Sequence, residues 1–381
     1  MLVLVINSGS SSLKYQVRDT AGGEELTSGL VERIGDTAGG HPADHQEAID
    51  RVFADLEEEL GGRGIDAVGH RVVHGGERFA EPVLIDFEIT RAIERLSPLA
   101  PLHNPAAVAG IRAIQGRWPK TPQVAVFDTA FHRTIPEHAW RYAVPDALYK
   151  EQGVRRYGFH GTSHDFVTGR AAGLLGIERE RFRAVVAHLG NGASVTAVRG
   201  GRSVDTSMGY TPLEGLVMGT RSGDLDPSII TQLIMRGEYT AEDLDRILNQ
   251  DSGLKGLAGT NDMRAVVEAA AAGDDAAELA LAVAAYRLQK YIGGYHVAVG
   301  GAQAIVFTAG IGENSWQFRL RVAEGLGALG VALDPMANLA RSREPRIISA
   351  PDSAIPVLVV PTDEEAEIAR ATAELAGRAD G

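Results

Sequence analysis

The chain contains no cysteine. Disulfides and thiolate metal sites are therefore excluded, and a reducing compartment is allowed. No apolar run reaches the ~20 residues that a membrane span needs. Positive charge is in short supply: 37 lysines and arginines stand against 50 aspartates and glutamates, a net charge of −13. Such a chain repels nucleic acid and anionic membrane in bulk. Any anion site must then be a local cluster of arginines and backbone amides. No basic stretch with a cleavage site precedes the first strand pattern, so no secretory signal is expected. The expectation is a cytoplasmic protein that binds neither nucleic acid nor membrane. Its 381 residues are too many for one core and suit two domains.

What is present starts with residues 2–17, LVLVINSGSSSLKYQV. Five apolar residues suit a strand buried on both faces. Asn7 ends the run, Ser8-Gly9-Ser10-Ser11-Ser12 make a polar turn, and alternation resumes through Tyr15 and Val17. Gly9 lets the backbone approach a ligand closely, and hydroxyls and freed N–H groups suit phosphate oxygens. Lys14 can supply a point charge, and Asn7 an oxygen for a metal or its water. An ordinary hairpin with a serine-rich turn would have the same composition.

Further strands are expected at 15–18 and 26–34, an amphipathic helix at 45–60 stopped by Gly61-Gly62, and a strand at 65–73. Arg71 and His74 stand at the end of that strand, where ligands of α/β sheets collect. A surface ion pair is the alternative for Arg71. Residues 99–105 read as a loop into a helix, with His103 just before it, Asn104 as N-cap and Pro105 at the first helical position. A buried strand at 123–127 delivers Asp128, either a functional acid or a turn residue.

The irregular segment 129–156 carries the domain change near its start. In Gly158-Phe159-His160-Gly161-Thr162-Ser163-His164, Thr162 or Ser163 would cap a helix running to 175. His160 and His164 have the spacing of a metal pair, but neither an HExxH glutamate nor a thiol completes a zinc set. A histidine beside a helix N-terminus reads better as a donor to an anion. Residues 183–201 repeat the opening theme. With Gly190 laid over Gly9, strand, glycine turn and return strand coincide, ending Val17-Arg18 over Val198-Arg199. This suggests a duplicated core with one phosphate hairpin per half, against a chance match of two hairpins. A glycine-broken loop at 211–224 holds Arg221. A long alanine-rich helix at 276–299, interrupted at Gly293-Gly294, suits close helix packing, including packing between subunits. A strand at 304–307 leads into TAGIGEN, a strand lies at 356–360, and 362–365 start a C-terminal helix whose first-turn acids suit the dipole.

Taken together, VINSGSSSLKY, VGHRVVHGGE, FDTAFH, YGFHGTSH, HLGNGAS, MGTRSGDLDP and TAGIGENS resemble the acetokinase family, within the superfamily of actin, heat-shock chaperones and sugar kinases. The motifs stand in family order over nearly the whole chain. Asp363 departs from the asparagine of many members, and the stretch 260–264 departs at its start. The resemblance implies an α/β fold of duplicated βββαβαβα ribonuclease H-like (actin-like ATPase) domains flanking a central cleft. Residues 1–129 plus 366–381 would form the first domain, and 130–365 a nucleotide-binding and dimerisation domain. It also implies reversible phosphoryl transfer from ATP to acetate, giving acetyl phosphate and ADP, with Mg2+ (Mn2+ as an alternative), in a homodimer. Arg71, Asp128, His160 and Arg221 match the catalytic positions, and Asn7 and Glu364 the metal positions. Lys14, the run His188, Leu189, Gly190, Asn191 and Gly192, the run Asp262, Met263 and Arg264, and the run Gly310, Ile311, Gly312, Glu313 and Asn314 match the ATP site. Val73, Leu102, His103, Phe159 and Pro212, with Arg71, match the substrate pocket.

Elementary chemistry supports this reading independently. A carboxylate ionises near pH ~4, so acetate at pH 7 is already a nucleophile and needs no base. Catalysis then rests on positioning and on cations around a phosphoryl group in flight. Asp128 therefore reads as an orienter of a magnesium water or an arginine, and Arg71 as a two-pronged clamp on acetate. The rival readings are a propionate or butyrate kinase, since one methylene is worth only ~1–3 kcal/mol, and a non-catalytic ATP-driven clamp of the same superfamily.

Overall fold

The computed structural model describes residues 1–9, 11–36, 40–101 and 103–379. The chain forms two compact units, Met1–Arg133 with Asp363–Gly381, and Thr134–Thr362. Glu364 thus belongs with the first unit.

The first unit is built on strands β1 (Leu2–Ser8), β2 (Ser12–Asp19), β3 (Glu24–Glu32), β4 (Ala67–Val72), β5 (Val83–Leu84) and β6 (Gln123–Phe127). They form one sheet in the order β3-β2-β1-β4-β6-β5, with β1, β4 and β6 parallel. The apolar run of β1 is buried on both faces, as the sequence implies. Leu4 and Ile6 join the core under helix His45–Glu59, while Val3 and Val5 pack with Ile368, Ala369 and Ala371 of the C-terminal helix Glu364–Ala379. Helix His45–Glu59 starts at Asp44, whose side chain accepts from the Glu47 N–H, and buries Ile49, Val52, Phe53 and Leu56. The C-terminal helix lies flush on β4 because residue 69 is glycine. A Cβ there would come within 2.4 Å of Thr372 Oγ1 and 2.7 Å of Ile368 Cγ2.

The second unit carries β7 (Arg183–Leu189), β8 (Ala193–Arg199), β9 (Arg202–Thr206), β10 (Ala304–Thr308), β11 (Arg346–Ile347) and β12 (Val357–Val359). Their order, β11-β12-β10-β7-β8-β9, read from its other end is the order of the first sheet. The duplicated fold expected from the two hairpins is therefore present. Even the bulges recur: the β2–β3 register slips between Val17 and Arg18, and the β8–β9 register between Ala197 and Val198. These bulges also correct the sequence overlay. The first turn runs from Ser8 to its partner Leu13, the second only from Leu189 to Ala193. The second turn is one residue shorter, so Val17 corresponds to Ala197, not to Val198.

Three local expectations change. Asn104 is inside helix Asn104–Arg117, and His103 is the cap residue, without a side-chain cap bond. Helix Gly161–Leu174 is capped by neither Thr162 nor Ser163; His160 occupies that position. The pair Gly293-Gly294 does not interrupt helix Asp275–Ala298. A glycine costs only ~1 kcal/mol in a helix, less than the burial of Ile292 and Tyr295 beside the pair returns. Among the described residues no helix is long and apolar enough to cross a membrane.

Candidate active site

In the first unit the parallel strands deliver the candidate residues at their carboxyl ends. Arg71 leaves β4, and Asp128 follows β6. The Arg71 guanidinium donates from Nε to Asp128 Oδ1 at 2.9 Å and from Nη2 to Oδ2 at 2.6 Å. Its Nε also lies 3.7 Å from Glu364 Oε2. Burial opposes the charge of Arg71, but Asp128 and Glu364 outweigh it, and the pKa is raised. Beside this pair, Lys14 Nζ meets Glu365 Oε1 at 2.5 Å, and Arg18 meets Asp363 at 2.7 Å. The departure Asp363 is thus occupied by an ion pair.

Burial, together with Asp128 and Glu365, pushes the Glu364 pKa up, against the pull of Arg71 and Lys14. Asp128, Glu364 and Glu365 crowd Arg71 and Lys14, a local surplus of negative charge. Asn7 is the cross-strand partner of Lys14 on β1. Among the described residues no group of three or more histidine or carboxylate side chains is set to hold a metal ion; Asn7 and Glu364 would offer a hard divalent cation oxygen donors only.

Asn104 is fully buried, and its amide brackets His74: Oδ1 accepts from the His74 N–H at 3.1 Å, and Nδ2 donates to the His74 carbonyl at 3.0 Å. That contact replaces its expected capping role and holds the loop after β4. His74 Nδ1 accepts from the Gly76 N–H, and burial lowers its pKa to about 4, so it stays neutral. Val73 is buried in the same loop. Leu102 lies outside the described residues.

In the second unit His160 caps helix Gly161–Leu174 with a φ of +57°, a conformation that favours glycine and marks a strained position. Its ring stacks on His188, with centroids 4.2 Å apart and planes 18° from parallel. His160 Nδ1 lies 3.0 Å from Ser194 Oγ. Arg221 reaches the same point from the 211–224 loop. A Cβ on Gly192 would sit 3.4 Å from Arg221 Nη1 and 3.5 Å from His160 Nε2, so both side chains lie against the glycine turn. Arg221 Nη1 donates to the Pro212 carbonyl at 3.3 Å. Among the described residues no carboxylate pairs with Arg221, and burial alone lowers its pKa. Phe159 is buried next to His160.

The expected nucleotide residues largely gather. A cleft of about 640 Å³ is lined by Gly190, Asn191, Asp262, Met263, Arg264, Gly310, Ile311 and Asn314. Asn261 at its edge donates to Asn191 Oδ1 at 3.0 Å. Others of the set are not part of its lining. His188 Nδ1 meets Ser163 Oγ at 2.8 Å, and that hydroxyl meets Thr362 Oγ1 at 2.7 Å. Leu189 is buried, and Gly192 lies beside His160. Gly312 packs on the Phe307 backbone. The Glu313 carboxylate accepts the Thr362 N–H at 3.1 Å.

Sequence reading did not single out Trp316, Arg341 or Arg319. The first two line the cleft. Arg319 is fully buried, and its guanidinium donates to the carbonyls of Gly312 and Glu313, at 2.8 and 2.9 Å, and to Asn338. It holds the loop that follows β10. The available signal was an arginine at a core position of helix Trp316–Glu324, between the buried Phe318 and Val322.

The sequence model of the acetokinase family matches residues 2–370. Over 384 aligned residues the chain is 71% identical to an acetate kinase of Pseudarthrobacter chlorophenolicus, with 99% of each chain covered. Among solved structures it is similar to Porphyromonas gingivalis acetate kinase, at 41% identity and a TM-score of 0.92, covering 98% of this chain and 99% of that one. A propionate kinase from Francisella tularensis is similar at 40% identity and a TM-score of 0.93, with the same coverage.

Proposed function

The chain belongs to the acetokinase family, and we infer that it is an acetate kinase, moving a phosphoryl group between ATP and the carboxylate of acetate. The observation that carries the mechanistic part of this reading is Arg221, a half-buried guanidinium without a carboxylate partner among the described residues, set beside His160 at a glycine turn. A cation kept unpaired serves an anion that arrives.

We propose direct in-line transfer. Acetate, already ionised, attacks the γ-phosphorus without a base, and as the new P–O bond forms the bond to the β,γ-bridging oxygen breaks and ADP leaves with that electron pair. Arg221 and His160 hold the equatorial oxygens of the group in flight. Arg71 binds the acetate carboxylate through the edge that Asp128 leaves open, and Asp128 acts by orienting that guanidinium. Val73 of the first unit, and Phe159 and Pro212 of the second, are the residues we assign to the methyl group. The 640 Å³ cleft of the second unit takes the nucleotide; Lys14 of the first unit is the cation we assign to its phosphates. Asn7 and Glu364 would hold Mg2+, or Mn2+ in its place; when bound, the ion neutralises charge on the β- and γ-phosphate oxygens.

We also propose a cytoplasmic homodimer. Helix Ser228–Met235, SIITQLIM, buries none of its side chains, and Ile229, Ile234 and Met235 are exposed. So apolar a surface suits a second copy. A sedimentation mass of one chain would refute this.

Acetate-dependent release of ADP, with acetyl phosphate trapped by hydroxylamine, tests the activity. The solved propionate kinase favours one second reading, the longer acid as substrate. A kcat/KM for propionate above that for acetate would establish it. Turnover of ATP indifferent to either acid would point instead to a nucleotide-driven clamp.

A further inference from the structure

We propose that Ser194 and His164 are positioning residues that lock His160 in the tautomer carrying its proton on Nε2. The proposal rests on the reading of His160 as a donor to the transferring phosphoryl group.

Ser194 lies on β8 directly opposite His188 of β7, and it is completely buried. Its Oγ stands between two imidazoles, 3.0 Å from His160 Nδ1 and 2.8 Å from His164 Nε2. A hydroxyl has one proton and can donate to only one of them. If that proton goes to His164, His160 must donate from Nδ1, and a neutral ring then turns a bare Nε2 lone pair toward Arg221 and the glycine turn. A lone pair repels phosphoryl oxygens. If the proton goes to His160 Nδ1, His164 donates its Nε2–H to the serine oxygen, and His160 presents Nε2–H outward. The donors then run in one direction: His164 to Ser194, Ser194 to His160, His160 to the anion.

Donation to neither ring would leave the O–H of the fully buried Ser194 without an acceptor among the described residues. The His160 ring stacks face to face on His188 and shares the space beside Gly192 with the cationic Arg221.

The test uses the full-length enzyme with 15N-labelled histidine, the His160→Asn variant assigning the ring signals. The wild type is expected to show His160 Nδ1 unprotonated and Nε2 protonated; a protonated Nδ1 overturns the proposal without any positioning variant. Ser194→Ala is expected to mix the tautomers and lower kcat about tenfold, below the ~10²–10³ of losing the donor itself, with KM for acetate and ATP near wild type. Ser194→Thr, which keeps the hydroxyl, should restore both signal and rate. His164→Gln, which keeps an N–H donor, should outperform His164→Leu. A Ser194→Ala enzyme with unchanged tautomer and kcat, or a Ser194→Thr enzyme as impaired as Ser194→Ala, overturns the relay. Absence of acetate-dependent turnover in the wild type would refute the proposed function instead, and the tautomer measurement would still decide the lock.

Discussion

Arg71 and Asp128, 57 residues apart, meet edge to edge, with two parallel N–H···O bonds of 2.9 and 2.6 Å. Asp128 is almost wholly buried, so the carboxylate has no solvent to turn toward, and it fixes the plane of the guanidinium. Asp128→Asn keeps the shape but loses one acceptor and the charge. We expect kcat to fall by about 10²-fold and the acetate KM to rise, while the ATP KM barely changes. Arg71→Ala should do the same more severely, and Arg71→Lys should not rescue it, because an ammonium cannot fork. Steady-state kinetics with each substrate varied in turn decides the matter. An equal loss of ATP affinity in Arg71→Ala would sink its assignment to acetate.

Gly69 sets how closely the C-terminal helix approaches β4. Gly69→Ala places a methyl group against Thr372 Oγ1 and Ile368 Cγ2, both on that helix, and the helix must shift. Overpacking of this kind costs about 1–3 kcal/mol. Because Glu364 opens the same helix, the Mg2+ concentration for half-maximal activity should rise as well. Urea unfolding and a magnesium titration are the measurements. A variant with wild-type stability would show that the helix tolerates displacement.

His70 supplies a pH dependence. It is buried on β4 against Gln123, at 2.8 Å, and burial lowers its pKa to about 4 despite that bond. The unfolded chain, with a histidine pKa near ~6.5, takes up the proton first. Stability is thus full above about pH 6.5 and falls as the pH drops toward 4, by up to about 3 kcal/mol from this group. His70→Gln removes the titration. Its stability relative to wild type should improve between pH 7.5 and pH 4.5, read from urea midpoints. A constant difference across that range would refute the assignment.

Local pattern carried much of the architecture. The apolar run before Asn7, the amphipathic spacing of helix His45–Glu59 and the glycine turns at 9 and 190 were each readable from neighbours a few residues apart. Burial, turning and helical phase are short-range properties of the chain, so these elements stand where expected. The bulges at Val17 and Ala197 show the limit of that reading. A one-residue difference in turn length leaves the pattern almost unchanged, yet shifts which residues correspond.

By itself the sequence determined the strands, the two glycine-turn hairpins, the order of the motifs and the family. Tertiary structure alone decided which polar groups serve which. Asn104 was taken from its helix cap to hold His74, 30 residues away, and Ser163 from its cap to link His188 with Thr362, 199 residues away. Glu313 went to the Thr362 backbone, and Arg319 to the carbonyls of Gly312 and Glu313. A buried polar atom must find a partner whatever its sequence distance, because leaving it unpaired costs more than the bond returns. That requirement is met only once distant segments are packed together, so no local spacing encodes it.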